Sequence, residues 1–458
     1  MMRIMDTALS RQRTIFDNNR FHFKSQNNPQ SELKLVEDLV RPRLKIAIVT
    51  ETWSPEVNGV ALSLLHICKG LQKLGHKILL IRPTQKVACT EFSPNKECLV
   101  NGQMIPKYGQ MQFGWPQYRK VSKSFEAFAP DIVHIVTEGP LGLAVLQAAK
   151  AKNIPVTSGF HSAFQDFSRF YDLAFLVKPI QHYLKWFHNN TRVTCVPSRD
   201  TAEAIQNFGV TCEVQVIKTG VDIEKFSPRF RSSVLRRKWG ACESTTVMLY
   251  VGRVSQEKEI QVLIDAYIQL KQNSDKKAKL VIVGDGPERE RLERYSNDHD
   301  VTFTGALRGQ VLAEVFASAD VFCFASQTET FGNVVLEAMA SGLPVVAYDY
   351  ACAKQYLDAD SAWLVPLGEK QQLIQQLQNL PNNKTLHAMG RNALIKVENS
   401  GWNHPVQQLE AMFYHIVQQD IVHQNLGHQG LSPKDQTPQG QPKQLLNPIY
   451  VRNGDYEY

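Results

Sequence analysis

Two carboxylates eight positions apart close the stretch Glu329-Thr-Phe-Gly-Asn-Val-Val-Leu-Glu337. An apolar run, Val321 to Phe324, precedes it, and a helical segment continues through Ala338-Met339-Ala340. That order puts Glu329 in the loop before a helix and Glu337 about two turns inside it. Free backbone N–H groups from Phe331 through Gly332 and Asn333 to Val334 would form the positive helix end, which attracts a diphosphate. The early carboxylate could then touch sugar hydroxyls while the later one holds a ribose, as acidic residues do in other nucleotide-binding α/β sites. Taken alone, the same spacing also suits two acids that cap or decorate an amphipathic helix.

Three further segments bring the same kind of chemistry. Gly252-Arg253-Val-Ser-Gln-Glu-Lys258 follows the apolar run Val247 to Val251, so its two cations arrive at the carboxyl edge of a sheet, where open α/β folds bind ligands. Arg253 can fork onto phosphate oxygens and Lys258 supplies a point charge, a pair suited to a departing nucleotide diphosphate. Gly284 and Gly286, in Gly284-Asp285-Gly286-Pro287, permit a tight turn and close backbone approach. In the first half, Asn58-Gly59 would leave N–H groups facing a cleft. His161 follows Val156 to Ser158, which puts an imidazole at a carboxyl edge, although a lone histidine also serves structural and capping roles.

The elements that would carry these residues repeat along the chain. Short β-branched runs alternate with helical stretches: Ile46 to Thr50, Ile78 to Ile81, Ile132 to Val136, Val156 to Ser158, Val193 to Val196 and Val214 to Ile217. A second series comprises Val247 to Val251, Leu280 to Val283, Val301 to Thr304, Val321 to Phe324, Pro344 to Ala347 and Ala362 to Val365. Continuous apolar runs in this alternation imply parallel sheets covered on both faces. The expected fold is therefore α/β, with two Rossmann-like, doubly wound domains facing a central cleft. Residues 1–43 read as a polar extension, 44–218 as the acceptor domain and 219–403 as the donor domain. Residues 404–423 read as a helix packing across both, and 424–458 as a disordered tail rich in Gln, Pro, Gly and Asn.

Composition narrows the function classes. Hydrophobic residues at 43% and charged residues at 21% exclude a disordered chain. Lys and Arg exceed Asp and Glu by 51 to 44, a surplus too diffuse to demand nucleic acid but compatible with anionic ligands or an acidic membrane surface. The eight cysteines show no C-x-x-C pairing, as expected of reduced thiols. Met1 to Ser10 lacks the apolar core of a signal peptide, and no apolar stretch approaches the roughly 20 residues of a membrane-spanning helix. The expected location is cytoplasmic, with any membrane contact peripheral on the inner face. Aromatic and basic residues interleave in Gln112 to Lys120 and from Phe167 through Tyr183, Lys185 and Trp186 to Arg192. Such composition suits an interfacial surface, but a core-packed helix with a basic outer side has a similar stripe and is the favoured reading.

Together these segments resemble the family 4 glycosyltransferases of the GT-B fold, a retaining group. The likeness covers roughly Leu44 to Leu409. It rests on Pro55-Glu56-Val57-Asn58-Gly59-Val60, Phe160-His161-Ser162, Gly220-Val221-Asp222 with Phe226, Gly252-Arg253 with Lys258, Gly284-Asp285-Gly286-Pro287 and the Glu329 to Glu337 signature. The resemblance implies that Arg253 and Lys258 hold the donor diphosphate, with backbone contacts from Phe331 to Val334. Glu337 would bind ribose, Glu329 would contact the donor sugar, and His161 would assist near it.

It further implies a hexosyltransferase of glycolipid or polysaccharide synthesis, acting on a nucleotide-sugar donor and a lipid-linked or saccharide acceptor. GDP-mannose is the first expectation for the donor and UDP-glucose the second, with no cofactor and no metal. The triplets Asp298-His299-Asp300 and Asp358-Ala359-Asp360 are discounted as metal sites because neither accompanies the donor motifs. Asn58-Gly59 stands where many members carry two glycines, and Ala351-Cys352 where a glycine pair is frequent. The alternatives are a sugar-nucleotide 2-epimerase, which shares two facing α/β domains, and a non-catalytic nucleotide-sugar sensor.

Overall fold

The computed structural model describes residues 42–54, 59–85, 89–104, 112–161 and 177–428. Asn58, Ser162, the stretch 167–176, nearly all of the N-terminal extension and the tail beyond residue 428 lie outside the described residues. From Leu44 onward the chain forms one unit built on two parallel sheets.

The first sheet contains β1 (Lys45–Val49), β2 (Lys77–Pro83) and β3 (Lys96–Val100). A two-stranded antiparallel hairpin, β4 (Gly102–Met104) and β5 (Gln112–Gly114), interrupts the series. The sheet resumes with β6 (Ile132–Ile135), β7 (Val156–Gly159), β8 (Val193–Val196) and β9 (Glu213–Val216). Their spatial order, β3-β2-β1-β6-β7-β8-β9, reverses direction between β1 and β6. Alternate side chains leave opposite faces of a strand. Accordingly, Ile46 and Ile48 pack with Leu64, Leu65 and Cys68, while Ala47 and Val49 pack with Val121, Phe125, Leu141 and Val145.

The second sheet contains β10 (Thr246–Val251), β11 (Ala278–Val283), β12 (Thr302–Gly305), β13 (Val321–Phe324), β14 (Val345–Tyr348) and β15 (Ala362–Val365). Its order, β12-β11-β10-β13-β14-β15, reverses between β10 and β13. Every residue of β10 and β13 is buried, which is why both read as unbroken apolar runs. In a doubly wound sheet the crevice outside the strand carboxyl ends at the reversal is where ligands bind. Each sheet therefore offers one such crevice.

Three strands, Val193–Val196, Val321–Phe324 and Ala362–Val365, have the limits expected, and the limits of the other expected strands shift by one or two residues. Two elements depart from the apolar pattern altogether. β3 opens with Lys96-Glu97 and lies at the sheet edge, where one side needs no partner strand, and the β4–β5 hairpin has only three residues per strand. All eight cysteines are free.

The helix Asn403–His428 returns to the first sheet, where Val406, Leu409, Met412, Phe413 and Ile416 join the face that carries Ile46 and Ile48. A buried bond fastens it: His76 Nε2 lies 2.7 Å from Glu410 Oε1, and His76 Nδ1 accepts from the Leu44 N–H at 3.1 Å.

Under the second sheet, fully buried Asp320 gathers several donors. Arg231 and Arg236 reach it at 2.7 and 2.8 Å, the Val247 N–H at 2.8 Å and His387 Nε2 at 3.1 Å. Burial opposes its charge. The Val247 N–H and the guanidinium of Arg236 nevertheless outweigh that penalty and hold the carboxyl below its ordinary range.

Candidate active site

At the reversal of the second sheet, the loops after β10 and β13 face each other. Lys258 ends a short 3-10 turn, Gln256–Lys258, and its ammonium crosses to the opposite loop. There it donates to Ser326 Oγ at 3.0 Å, to the Thr328 carbonyl at 3.0 Å and to Glu329 Oε1 at 2.5 Å. Both charged side chains stay partly open to solvent, so the pair remains within reach of a ligand.

Arg253 is also paired, donating to Glu257 Oε1 at 2.8 Å, and the same oxygen accepts from Ser255 Oγ at 2.6 Å. Burial pushes against ionisation of Glu257, but the Ser255 hydroxyl and the Arg253 charge win and lower its pKa. The two cations therefore come already oriented by carboxylates. Tyr250 fixes the loop further, its hydroxyl donating to the Arg253 carbonyl at 2.9 Å.

The glycines at this edge meet backbone. A Cβ on Gly284 would stand 1.8 Å from the Gly252 carbonyl oxygen, and one on Gly286 would stand 2.2 Å from the Val254 oxygen. The loops after β10 and β11 are stitched by Val254 N–H to Asp285 O at 2.9 Å and Glu288 N–H to Val254 O at 3.1 Å. The close approach that the structure shows at these glycines is thus of one loop to the other.

The helix Asn333–Ala340 opens on Gly332, whose φ of 94° favours glycine, and among the described residues no side chain caps this end. The helix begins at Asn333, so Phe331 and Gly332 precede it and Glu337 is its fifth residue. Glu337 therefore lies little more than one turn in, a correction to the expected two, because Gly332 breaks the helical path. Its carboxyl is buried, and that burial raises its pKa to about 7 against the opposing charge of Lys225. Phe331 is buried in the core, and Val334 is half-buried against it.

This helix end meets the first domain. Asn333 Nδ2 donates to Ser63 Oγ at 3.1 Å and would lie 3.3 Å from a Cβ on Gly59, the first residue of the helix Gly59–Lys73. Thr201 Oγ1 reaches the Thr330 carbonyl at 3.4 Å. Gly59, Asn333 and the Lys258–Glu329 pair thus border one interdomain cleft.

On the first sheet, His161 follows β7 at the carboxyl edge. Its ring folds back over the strand, since a Cβ on Gly159 would stand 2.6 Å from His161 Nε2. Burial lowers its pKa, and nearby Glu138 works the other way. Sequence reasoning passes over the two acids at this sheet's own reversal, Glu51 after β1 and Glu138 after β6. Glu51 Oε1 accepts from the Leu141 N–H at 3.0 Å, and burial raises its pKa to about 7. The signal available is an acid two or three residues beyond a strand, which means little until the strand order is known.

Other sequence features resolve into structure. Asp300 pairs with Lys279, and Asp358 with Lys396 at 2.5 Å, so each discounted triplet has an acid in a surface ion pair. Among the described residues no cluster of three or more His, Cys, Asp or Glu is arranged to hold a metal, and no helix is long and apolar enough to cross a membrane. The helix Val177–His188 buries Leu184, Phe187 and His188 while exposing Lys178, Lys185 and Trp186. That is a core-packed helix with a basic outer side. Trp115 and Tyr118 are exposed beside Arg119 and Lys120.

Comparisons with known proteins agree with this geometry. Residues 57–225 match the model described as Glycosyltransferase Family 4, and residues 245–383 match Glycosyl transferases group 1. A GDP-mannose-dependent alpha-mannosyltransferase of Mycobacterium tuberculosis is 31% identical over 71% of this chain and 85% of its own length. An alpha-monoglucosyldiacylglycerol synthase of Streptococcus pneumoniae is 28% identical over 67% of this chain and 71% of its own. Among solved structures, a sucrose-phosphate synthase from Thermosynechococcus elongatus superposes with a TM-score of 0.68 at 20% identity, covering 82% of this chain and 99% of that one. HepE from Anabaena, in complex with UDP and glucose, gives 0.64 at 20% identity over 81% and 100%. At such identities these two establish the shared GT-B architecture alone. With two doubly wound sheets meeting at this cleft and a relative of that closeness, the chain belongs to glycosyltransferase family 4 and is an enzyme of hexose transfer.

Proposed function

We propose that the protein is a retaining, metal-independent glycosyltransferase that moves mannose from GDP-mannose to a lipid-linked or saccharide acceptor. The observation that carries this reading is the Lys258–Glu329 pair beside an uncapped helix end, at the reversal of the second sheet. Lys258, Arg253 and that helix end would stabilise the departing diphosphate, the largest charge developed in the reaction. Glu329 would contact the donor sugar and Glu337 the ribose. His161 would assist from the opposite sheet. Acceptor attack on the face from which the nucleotide departs keeps the anomeric configuration, and these residues stabilise the separated charges without a cofactor. The exposed Trp115, Tyr118, Arg119 and Lys120 support a cytoplasmic protein that touches an anionic membrane peripherally.

The guanine donor is favoured by the 31% identity to the mycobacterial mannosyltransferase. Glucose from UDP-glucose is the second choice, since the alpha-monoglucosyldiacylglycerol synthase is 28% identical. Calorimetry with GDP and UDP decides between them, because a mismatched base leaves buried polar groups unpaired at a cost of about 1–3 kcal/mol. GDP is expected to bind roughly tenfold or more tightly, and tighter UDP binding would replace mannose with glucose as the proposed sugar. Release of free nucleotide together with a glycosylated acceptor separates transfer from 2-epimerisation and from mere sensing.

The ribose role of Glu337 gives a pH dependence. Its pKa is about 7 in the free fold, and a carboxylate accepts from ribose hydroxyls better than a neutral acid does. Nucleotide affinity should therefore rise as pH increases from about 5 to 7 and then level off, and Glu337→Gln should bind more weakly with that rise abolished. Stability runs the other way. Because the folded pKa lies above the unfolded one, the fold binds the extra proton between about 4.5 and 7 and loses stability as pH climbs through that window. Calorimetric titrations at several pH values, paired with melting curves, check both signs.

A further inference from the structure

One face of the helix Gly59–Lys73 meets both the helix Asn333–Ala340 and the place where the chain passes between the domains. Gly59, Ser63, His66 and Gly70 follow one another at steps of four, three and four residues, which aligns them along one side of a helix. Asn333 Nδ2 donates to Ser63 Oγ at 3.1 Å and would lie 3.3 Å from a Cβ on Gly59. Farther along the same face, the His66 ring stacks on Trp402, with centroids 4.8 Å apart and planes 1° from parallel. A Cβ on Gly70 would stand 2.5 Å from Val406 Cγ2, so a glycine there lets the helix Asn403–His428 come close.

Trp402 marks that crossing. After β9 the chain enters the second domain through residues 217–221, and after the helix Asn383–Val397 it returns through residues 398–402. The Val221 N–H donates to the Ser400 carbonyl at 2.9 Å, and a Cβ on Gly220 would stand 2.8 Å from Trp402 Cα, so the two passages lie side by side. Burial lowers the pKa of His66 against the opposing charge of Asp222, so the ring on the indole is uncharged near neutral pH. Ser63 and His66 sit within one turn of a helix, which carries displacement as a rigid element. A slide of His66 over Trp402 is therefore transmitted to the Ser63–Asn333 bond, and Asn333 begins the helix whose first turn faces the diphosphate in the reading above.

We propose that His66 is a positioning residue for hexose transfer: stacked on Trp402 at the crossing, it fixes the helix Gly59–Lys73 so that Ser63 and Gly59 meet Asn333 in register. The inference rests on the glycosyltransferase reading above. Donor and acceptor groups sit on different domains in that reading, so their alignment depends on how this helix face is held. Nucleotide binding draws on Arg253, Lys258 and Glu337 of the second domain and does not depend on it.

The test uses the full chain, with GDP-mannose or UDP-glucose as donor and methyl α-mannoside or diacylglycerol vesicles as acceptor, in the combination from which the wild type releases free nucleotide. His66→Leu removes the ring and keeps an apolar side chain of similar size. It should lower kcat by about ten- to a hundredfold, the scale of a slightly misplaced reacting pair, with GDP or UDP affinity by calorimetry within about twofold of wild type. His66→Phe keeps a ring on Trp402 and should recover most of the rate. Combining His66→Leu with Ser63→Ala should cost no more than about twofold beyond the larger single loss, because both act through one contact. Wild-type kcat in His66→Leu would overturn the inference, as would a phenylalanine variant no better than the leucine one, losses that multiply in the double variant, or losses that track nucleotide affinity. If His66→Leu does not fold, Ser63→Ala decides alone: kcat should fall about fivefold at unchanged nucleotide affinity, and a wild-type rate overturns the inference. A wild type that releases no nucleotide in any combination sinks the glycosyltransferase reading and the inference with it, whereas wild-type turnover with an unaltered His66→Leu sinks the inference alone.

Discussion

Lys258→Ala should reduce kcat/KM for hexose transfer by about 10²–10³, the usual cost of removing one preorganised donor from a site of developing negative charge. The ammonium has three partners on the facing loop, at 3.0, 3.0 and 2.5 Å, and all three lie on the segment Ser326 to Glu329. Its loss therefore removes a charge for the diphosphate and also frees Glu329 from its position. Nucleotide affinity should fall as well, since the same cation serves ground state and transition state. Glu329→Ala should differ in kind, losing turnover far more than nucleotide binding, because its expected partner is the sugar. Lys258→Arg should recover little, as a planar fork cannot reproduce three contacts converging on one nitrogen. Steady-state kinetics beside calorimetry separates the two effects, and normal turnover in either alanine variant would remove the pair from the catalytic assignment.

The largest stability effect is expected at Asp320. Replacing it with Asn leaves Arg236, itself 2% exposed in its side chain, buried without its counter-ion. Breaking a buried pair from one side costs about 3–5 kcal/mol. In a domain of this size that lowers the melting temperature by roughly 10 °C. Arg236 keeps bonds to the carbonyls of Ser318, Cys242 and Thr245, so its geometry survives while its charge goes uncompensated. The pH response also has a fixed sign. The folded pKa of Asp320 lies below the unfolded one, so its contribution is complete above about 3.9 and is lost as pH falls through the lower folded value. Melting curves of wild type and Asp320→Asn should accordingly converge at strongly acid pH, and equal stability near neutrality would refute the argument.

Much of this molecule is legible in its amino-acid order. Parallel strands buried on both faces must be continuously apolar, so β10 and β13 announce themselves as Val247 to Val251 and Val321 to Phe324. The residues immediately after such runs are then carboxyl-edge residues by arithmetic. Arg253, Lys258, Glu329 and His161 can be assigned to sheet edges for that reason alone. Edge strands such as β3 and the short hairpin carry no such constraint, since half of their surface needs no apolar partner, and no apolar run marks them. The second turn expected before Glu337 fails on one residue, because Gly332 could equally have continued the helix or, as it does, opened it from a left-handed conformation.

What the sequence by itself determined is the architecture and the chemical inventory: two doubly wound sheets, a helix opening beside a glycine after a strand, and acids and cations at strand ends. These depend on local apolar pattern and residue type, which are properties of short segments. Only the tertiary structure decided the partnerships. Except for the short link of Arg253 to Glu257, these join residues 50 to 270 positions apart: Lys258 with Glu329, Asn333 with Ser63, Glu138 with His188 and Asp320 with two arginines. Which edge residue meets which follows from strand order and from the approach of the two domains, and a linear pattern carries neither.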